Sequence, residues 1–439
     1  MRNHLKVLDQ KVLVSLLAFG LALLGVAIVN PDNSGISTVQ SYPATVCPPK
    51  LSDATSTSVL PSSKILVRQI PNKKNQLAKA KTSYYLSNSP LLVDGNSESS
   101  INVTRSKSRA LATVVCSISS GDQWFVGGSG SVTSRASVVI INSGLSTSIV
   151  DFYIYSSNTV SSVISKRIAK NSSKRIYLDT LAPGENSVVI HAITRSGRVT
   201  TFLHDQRQRG LVSLGADFVS HGAQPANRVV IPAISNVRLS GKNTNQSLRI
   251  LAPGNVAANV RAKIVATDGS FAPIGLDDIN IPAGKVKDIT FKPVLNTRTF
   301  SLVLTADRPI VAAVKSSGNF NGTNEFAWAG SSFELSNLTL YFGGLAPEVV
   351  LAGKDFEVDV TWTDKNKKIQ SKTLRGSEIA TWRPSKGITK ASFSTANKQV
   401  YGAVIFKEKS GLSQFPLVAG AQLESAAVPN ANARVITRE

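Results

Sequence analysis

Residues 186–205 read NSVVIHAITRSGRVTTFLHD, two alternating apolar and polar runs set on either side of Gly197-Arg198-Val199. A period of two is what half-buries a β-strand, because successive side chains point to opposite faces of a sheet. The same arrangement returns at residues 298–317, RTFSLVLTADRPIVAAVKSS, and at residues 389–408, TKASFSTANKQVYGAVIFKE. Arg308-Pro309-Ile310-Val311 and Lys398-Gln399-Val400-Tyr401 occupy the place of the glycine turn. Each pair is expected to close a module as two hairpin-like strands.

The parts before each pair also recur in order. The first pass holds ASVVIINSG, IVDFYIYSS and AKNSSKRIYLDTLAPG; the second holds SLRILAPG, NVRAKIVATDG and IPAGKVKDITFKPV; the third holds LTLYFGG, FEVDVTWTDKN and TLRGSEIATWRP. About six strands per pass suffice for one small sandwich. A propeller blade would recur at roughly 40 to 50 residues, shorter than the spacing seen here. The predicted fold is therefore all-β, with tandem immunoglobulin-like β-sandwich modules at 131–240, 241–335 and 336–418, followed by a tail at 419–439. The segment joining the first two passes, residues 204–245, is expected to pack against a module.

Upstream lies a different kind of sequence. Arg2, Lys6 and Lys11 precede an uninterrupted apolar run over residues 12–29, VLVSLLAFGLALLGVAIV. Basic flanks and that length predict a single transmembrane helix with residues 1–11 in the cytoplasm and the bulk outside. No small-x-small cleavage site follows Val29, which favours an uncleaved anchor over a signal peptide. Residues 30–63 are rich in Ser, Thr and Pro and read as a tether. Residues 64–130 read as a basic segment of a few strands. Over residues 50–120 ten bases, Lys73, Lys74, Lys79 and Lys81 among them, stand against Asp53, Asp94 and Glu98.

Only two cysteines occur, Cys47 and Cys116. Beyond a membrane they are expected to pair, the alternative being two buried thiols. Two cysteines and four scattered histidines offer no metal-ligand spacing, and no cofactor motif is present.

The chain carries 49 Lys and Arg against 27 Asp and Glu, a net charge of +22. Such an excess draws a protein toward polyanions or simply keeps its surface soluble. Outside the cell the polyanions are cell-wall glycopolymers and lipid head groups, with no intracellular nucleic acid in reach.

Two similar stretches are binding candidates: Asp122 with Trp124, and Glu325 with Trp328, each followed by Gly and Ser. An exposed indole beside a carboxylate would stack a sugar ring; the rival reading is a core tryptophan. His204-Asp205-Gln206-Arg207 gathers polar chemistry but reads as a solvated strand end, since neighbours on a strand point apart. Gly127-Gly128-Ser129-Gly130 reads as a flexible turn. No nucleophile elbow or His-Glu-x-x-His is found, although paired carboxylates distant in sequence would leave no motif.

An early Cys-Pro, the stretch from Cys116 to Gly128, Gly215-Ala216-Asp217-Phe218, Val229-Val230-Ile231-Pro232, Asp307 to Val311 and Phe326-Ala327-Trp328 together resemble an actinobacterial family of envelope proteins, domain of unknown function 5719. The resemblance runs from about Cys47 to Phe415. It implies an exported, anchored protein and carries no catalytic residues. The expected function is non-enzymatic binding of cell-wall glycopolymer or envelope partner proteins; a scaffold for envelope-assembly enzymes and a glycan-processing enzyme are the alternatives.

Overall fold

The two runs of residues 186–205 form strands Val188–Ser196 and Val199–Arg209, yet they do not pair with each other. In the computed structural model the first joins the sheet containing Asp122–Val126, Ser148–Ser156 and Ser162–Ile168. The second joins the sheet containing Ser172–Tyr177, Ser137–Asn142 and Val212–Val219. What looked like a hairpin is a corner where the chain crosses from one sheet to the other. The two later pairs behave alike. Thr299–Phe320 is one 22-residue strand that ladders with Ala258–Ala266 in its first half and with Asn245–Leu251 in its second. Lys390–Ser394 and Tyr401–Glu408 likewise lie in different sheets. Crossing lets each run turn its apolar face onto the opposite sheet, the interdigitation on which a sandwich depends.

The structure describes residues 12–21, 37–39, 44–50, 54–61, 65–94, 98–106, 110–158, 162–239, 242–320, 322–364, 366, 368–408, 411–420 and 425–427. Among them, residues 43–422 form one compact unit. In that unit one topology occurs four times, over residues 44–115, 122–219, 226–330 and 338–416. Setting aside Glu98–Ser99, which pairs with Leu338–Tyr341 of the fourth repeat, and the small pair Arg238–Leu239 with Lys242–Asn243 in the third, each repeat counts eight strands in chain order, and one sheet runs 1-6-3-4 and the other 5-2-7-8. In the third repeat strands six and seven are the continuous Thr299–Phe320, and strand four is split into Gly269–Phe271 and Ile279–Ile281.

Four repeats replace the expected three modules, and the boundaries move accordingly. The expected tether contains strands Ala44–Cys47 and Ala54–Val59, and the expected basic segment supplies the rest of the first repeat. Asp122–Val126, assigned by sequence to that segment, opens the second repeat. Ala226–Ser235 ladders with Thr299–Phe320 and so opens the third. The first repeat hid because its inward positions are polar. Ser56, Ser58, Ser87, Asn102 and Thr104 are buried and bonded to one another: Ser56 Oγ donates to Asn102 Oδ1 at 2.8 Å, and Asn102 Nδ2 donates to Ser87 Oγ at 3.0 Å. Such a face shows no apolar period. Cys47 and Cys116 are joined in a disulfide that ties the end of strand one to the residue after strand eight. Their separation of 69 residues makes the cross-link worth about 4 kcal/mol on the chain-entropy model.

Apolar clusters join neighbouring repeats. Val139 and Phe202 of the second pack with Ala112 and Val114 of the first, and Phe326 and Trp328 of the third pack into the core of the second. Ala233 and Ala327 of the third meet Val350 and Ile405 of the fourth, and Ile101 and Val115 of the first share the core of the fourth. The four repeats therefore close a ring. Strand eight of each, Leu111–Val115, Val212–Val219, Thr323–Gly330 and Gly411–Pro416, lies at its centre against the equivalent strands of both neighbours. These are edge strands of their own sheets, and ring closure covers them.

The other unit comprises residues 1–42 and 423–439. Residues 12–21 are helical, and Ser37–Val39 pairs antiparallel with Ser425–Ala427. Residues 22–29 of the expected anchor, and most of the expected tail, lie outside the described residues. No helix among the described residues is long and apolar enough to cross a membrane.

Candidate functional site

Close packing of the four central strands depends first on glycine. A Cβ at Gly215, where φ is +109°, would sit 2.9 Å from the Glu325 Cα, and one at Gly411 would sit 2.9 Å from the Leu111 backbone nitrogen. With backbones this near, the side chains between them must satisfy one another. Ser413 Oγ donates to Asp217 Oδ1 at 2.6 Å and accepts from the Thr113 backbone N–H at 2.7 Å. The Trp328 backbone N–H donates to Asp217 Oδ2 at 2.9 Å. Thr113, Asp217, Trp328 and Ser413 come from four different repeats, so one carboxyl group links the whole ring.

Glu325 lies in the same hub. Its Oε1 accepts the backbone N–H groups of Ala216 and Phe326, each at 3.0 Å. Burial pushes the Glu325 pKa up to about 8, against the pull of the Phe326, Ala216 and Leu111 backbone donors. Burial also pushes Asp217 well above the carboxylate range, with the nearby Glu325 charge adding to it. Glu325 is mostly protonated near neutrality, and neither carboxyl reaches solvent. They act as hydrogen-bonding connectors between repeats.

Next to the hub, between the second and third repeats, Trp328 sits in a second cluster. Its indole N–H donates to Asp205 Oδ2 at 3.0 Å, and Arg207 grips the same carboxylate with bonds of 2.6 and 3.0 Å. Arg249, buried on strand two of the third repeat, stands 5.0 Å over the ring. It pairs bidentately with Asp288 at 2.8 Å and donates to the backbone carbonyls of Gly128 and Val188 in the second repeat. Burial alone would raise both acids, but Arg207 and Arg249 outweigh it and hold Asp205 and Asp288 below their usual values. Lys315 lies over the Trp328 and Phe326 rings; burial and the neighbouring arginines lower its pKa.

The tryptophan candidates are thus core residues. Trp328 is 1% exposed and Glu325 is 1% exposed. Trp124 is 4% exposed, stacked on His191 at 3.9 Å, while its exposed neighbour Asp122 holds that histidine through a 2.8 Å bond. Neither indole offers a free face for a sugar, because strand one and strand eight positions both turn inward at junctions between repeats. Two further readings change. His204 and Asp205 are buried, not a solvated strand end, and burial lowers His204 to about 4, so its imidazole is neutral. Gly127 to Gly130 is a buried segment without a turn, and its Gly128 carbonyl serves Arg249. Asp217 was missed as a site residue; the available signal was an acid within the otherwise small and apolar strand Val212–Val219.

Lys73, Lys74, Lys79 and Lys81 are exposed, in and beside the turn joining Leu66–Gln69 to Ala78–Lys79. None of the four is in an ion pair among the described residues.

Comparison with known proteins matches residues 87–379 to a family model described as a family of unknown function, DUF5719. No curated protein matches the chain. Among solved structures, Thermotoga maritima 1070 is 14% identical, with a TM-score of 0.21, covering 26% of this chain and 95% of its own. The Anabaena sensory rhodopsin transducer is 23% identical, with a TM-score of 0.16, covering 22% and 97%. A tetra-tandem repeat from the extending region of a large adhesion protein is 9% identical, with a TM-score of 0.12, covering 86% and 98%. Likenesses at these scores have no bearing on function.

Proposed function

The chain belongs to the family of unknown function DUF5719, which has no activity to transfer, and from its own residues we propose an envelope protein that binds an anionic cell-wall glycopolymer without catalysis. It is held to the membrane by residues 12–29, with the four repeats outside the cytoplasm. The observation that carries the binding is the surplus of cations left facing solvent. The chain has a net charge of +22, and Lys73, Lys74, Lys79 and Lys81 form an exposed group with no acid partner among the described residues. A repeating phosphate or carboxylate polymer answers such a surface through many weak, salt-screened contacts. The disulfide suits an oxidising compartment, and the basic and apolar N-terminus suits export.

The full chain, solubilised from membranes, should sediment with isolated cell wall at low ionic strength and be released as salt rises. Replacing the four lysines with alanine should reduce the bound fraction severalfold. No sedimentation of the wild type at low salt would end this reading; salt-resistant capture of proteins instead of polymer would favour the scaffold.

A further inference from the structure

Where the third and fourth repeats meet, a pocket of about 480 Å³ is lined by Asn236, Asn296, Thr297, Arg298 and Lys407. That volume falls within the range of small-ligand sites. Val237 and Leu295 complete the lining, so a mostly polar wall carries one apolar strip.

Charge in the pocket is unbalanced. Lys407 loses basicity to burial first and then to the repulsion of Arg298 and Arg383. Glu348 stands among these three cations and is already occupied: Arg383 Nη2 donates to its Oε2 at 2.7 Å and Thr299 Oγ1 to its Oε1 at 3.2 Å. Asp268 lies at the Asn296 side, where its Oδ2 accepts the Asn296 backbone N–H at 3.1 Å. Arg298 and Lys407 are left in no ion pair among the described residues. Mutually repelling cations brought together on two repeats cost stability unless an anion joins them.

A second observation concerns polar atoms of the lining residues. Asn236 is 5% exposed, and its amide nitrogen is used by the Thr297 carbonyl at 3.0 Å, but its Oδ1 has no hydrogen-bond partner. Thr297 Oγ1 is likewise buried without a partner. Buried polar atoms are nearly always satisfied, so two enclosed orphans on residues of one pocket wall are an uncommon local cost.

We infer that this pocket seats one phosphate-bearing sugar unit of an anionic glycopolymer, the phosphate between Arg298 and Lys407, the hydroxyls toward Asn236, Asn296 and Thr297, and the C–H face of the ring on Val237 and Leu295. The inference rests on the glycopolymer reading above and gives it an address. Guanidinium and ammonium groups together are the usual pair for a phosphate monoester or diester, and their charge-assisted bonds are the strong ones.

The test titrates the full chain with glucose 1-phosphate, inorganic phosphate and glucose, and compares the Arg298→Ala/Lys407→Ala variant with the wild type. Glucose 1-phosphate should bind more tightly than either fragment, and the variant should lose at least about tenfold in affinity, as expected for losing charge-assisted bonds. An unchanged thermal midpoint in the variant shows that its fold is intact. No binding of glucose 1-phosphate, or equal binding by the intact variant, overturns the site; equal binding of glucose overturns the role of the cations; equal binding of inorganic phosphate overturns the sugar wall. Sedimentation with cell wall, run in parallel, separates the two readings. A variant that sediments like the wild type removes the pocket and keeps the polymer. A wild type that binds glucose 1-phosphate but ignores the wall removes the polymer and keeps the pocket.

Discussion

Two junctions of the ring treat charge in opposite ways. Between the second and third repeats, Asp205 and Asp288 are each gripped by an arginine, Arg207 and Arg249, close around Trp328 with Lys315 over its ring, and these groups spend their hydrogen bonds on each other, on the indole and on backbone carbonyls. Between the third and fourth, Arg298 and Lys407 border an open pocket, and the nearby Glu348 is taken by Arg383. Desolvation penalises any buried ion, and only a matched set with good geometry recovers the cost. Matched charges of the first kind fix how two repeats meet; a surplus beside a cavity leaves attraction for something that is not part of the chain.

The largest expected effect breaks the sealed junction. Arg249→Met keeps the bulk over Trp328 but strands the Asp288 carboxylate and frees the Gly128 and Val188 carbonyls of their partner. A loss of about 3 kcal/mol is expected, at the lower end for a broken buried pair because Asp288 retains some solvent. Denaturant unfolding measures it, and a change below about 0.5 kcal/mol, the size of an ordinary surface substitution, would show that the cluster does not hold the repeats together.

The hub is sealing carried further, with acids and no cation. Glu325 has its folded pKa raised from 4.5 to about 8, so its contribution to stability is complete below pH 4.5 and lost as pH climbs toward 8. His204 and His221, lowered from 6.5 to about 4, work in the other direction, adding stability as pH rises through that interval. Between pH 6.5 and 8 only the acid effect remains of these, at about 1.4 kcal/mol per pH unit. Glu325→Gln should therefore flatten the fall in unfolding free energy across that window by about 2 kcal/mol. Parallel pH profiles for wild type and variant would show the Glu325 carboxyl already ionised in the fold.

How much of this could be read in the sequence follows from where the apolar residues are. Ala258–Ala266 and Phe356–Thr363 alternate cleanly and Val188–Ser196 opens on three apolar residues, so the last three repeats stand out as strands. The first repeat buries Ser56, Ser58, Asn102 and Thr104 where its siblings bury valine and isoleucine, and no periodicity scale registers a polar interior held by hydrogen bonds and a disulfide. Pairing was misread for a different reason. Alternation states that a run has an inner face but not which sheet supplies the other side, and the three closing pairs satisfy the same pattern by crossing. Site residues were least legible of all. Trp328 with Glu325 was noticed as a chemical pairing, yet its meaning depends on Asp205, Asp217 and Ser413, which lie 196 positions apart at the widest recorded contact. The Asn236 to Lys407 pocket joins a strand end, a loop and a strand with no motif between them.

The smallest expected effect is the one on which the comparison turns. If Arg298 and Lys407 served to weld the third repeat to the fourth, removing them would destabilise the ring as Arg249→Met does. Their heads bond to no acid among the described residues, and each repels the other, so Arg298→Ala/Lys407→Ala should alter unfolding free energy by less than about 0.5 kcal/mol, or raise it slightly, in the absence of ligand. Added phosphate should raise the thermal midpoint of the wild type and leave that of the variant in place, since only a fold with the cations gains from binding. A junction whose charges are neutral to stability but govern the response to phosphate is a binding surface; one whose loss costs as much as Arg249 is a weld, and the distinction drawn between the two junctions would then disappear.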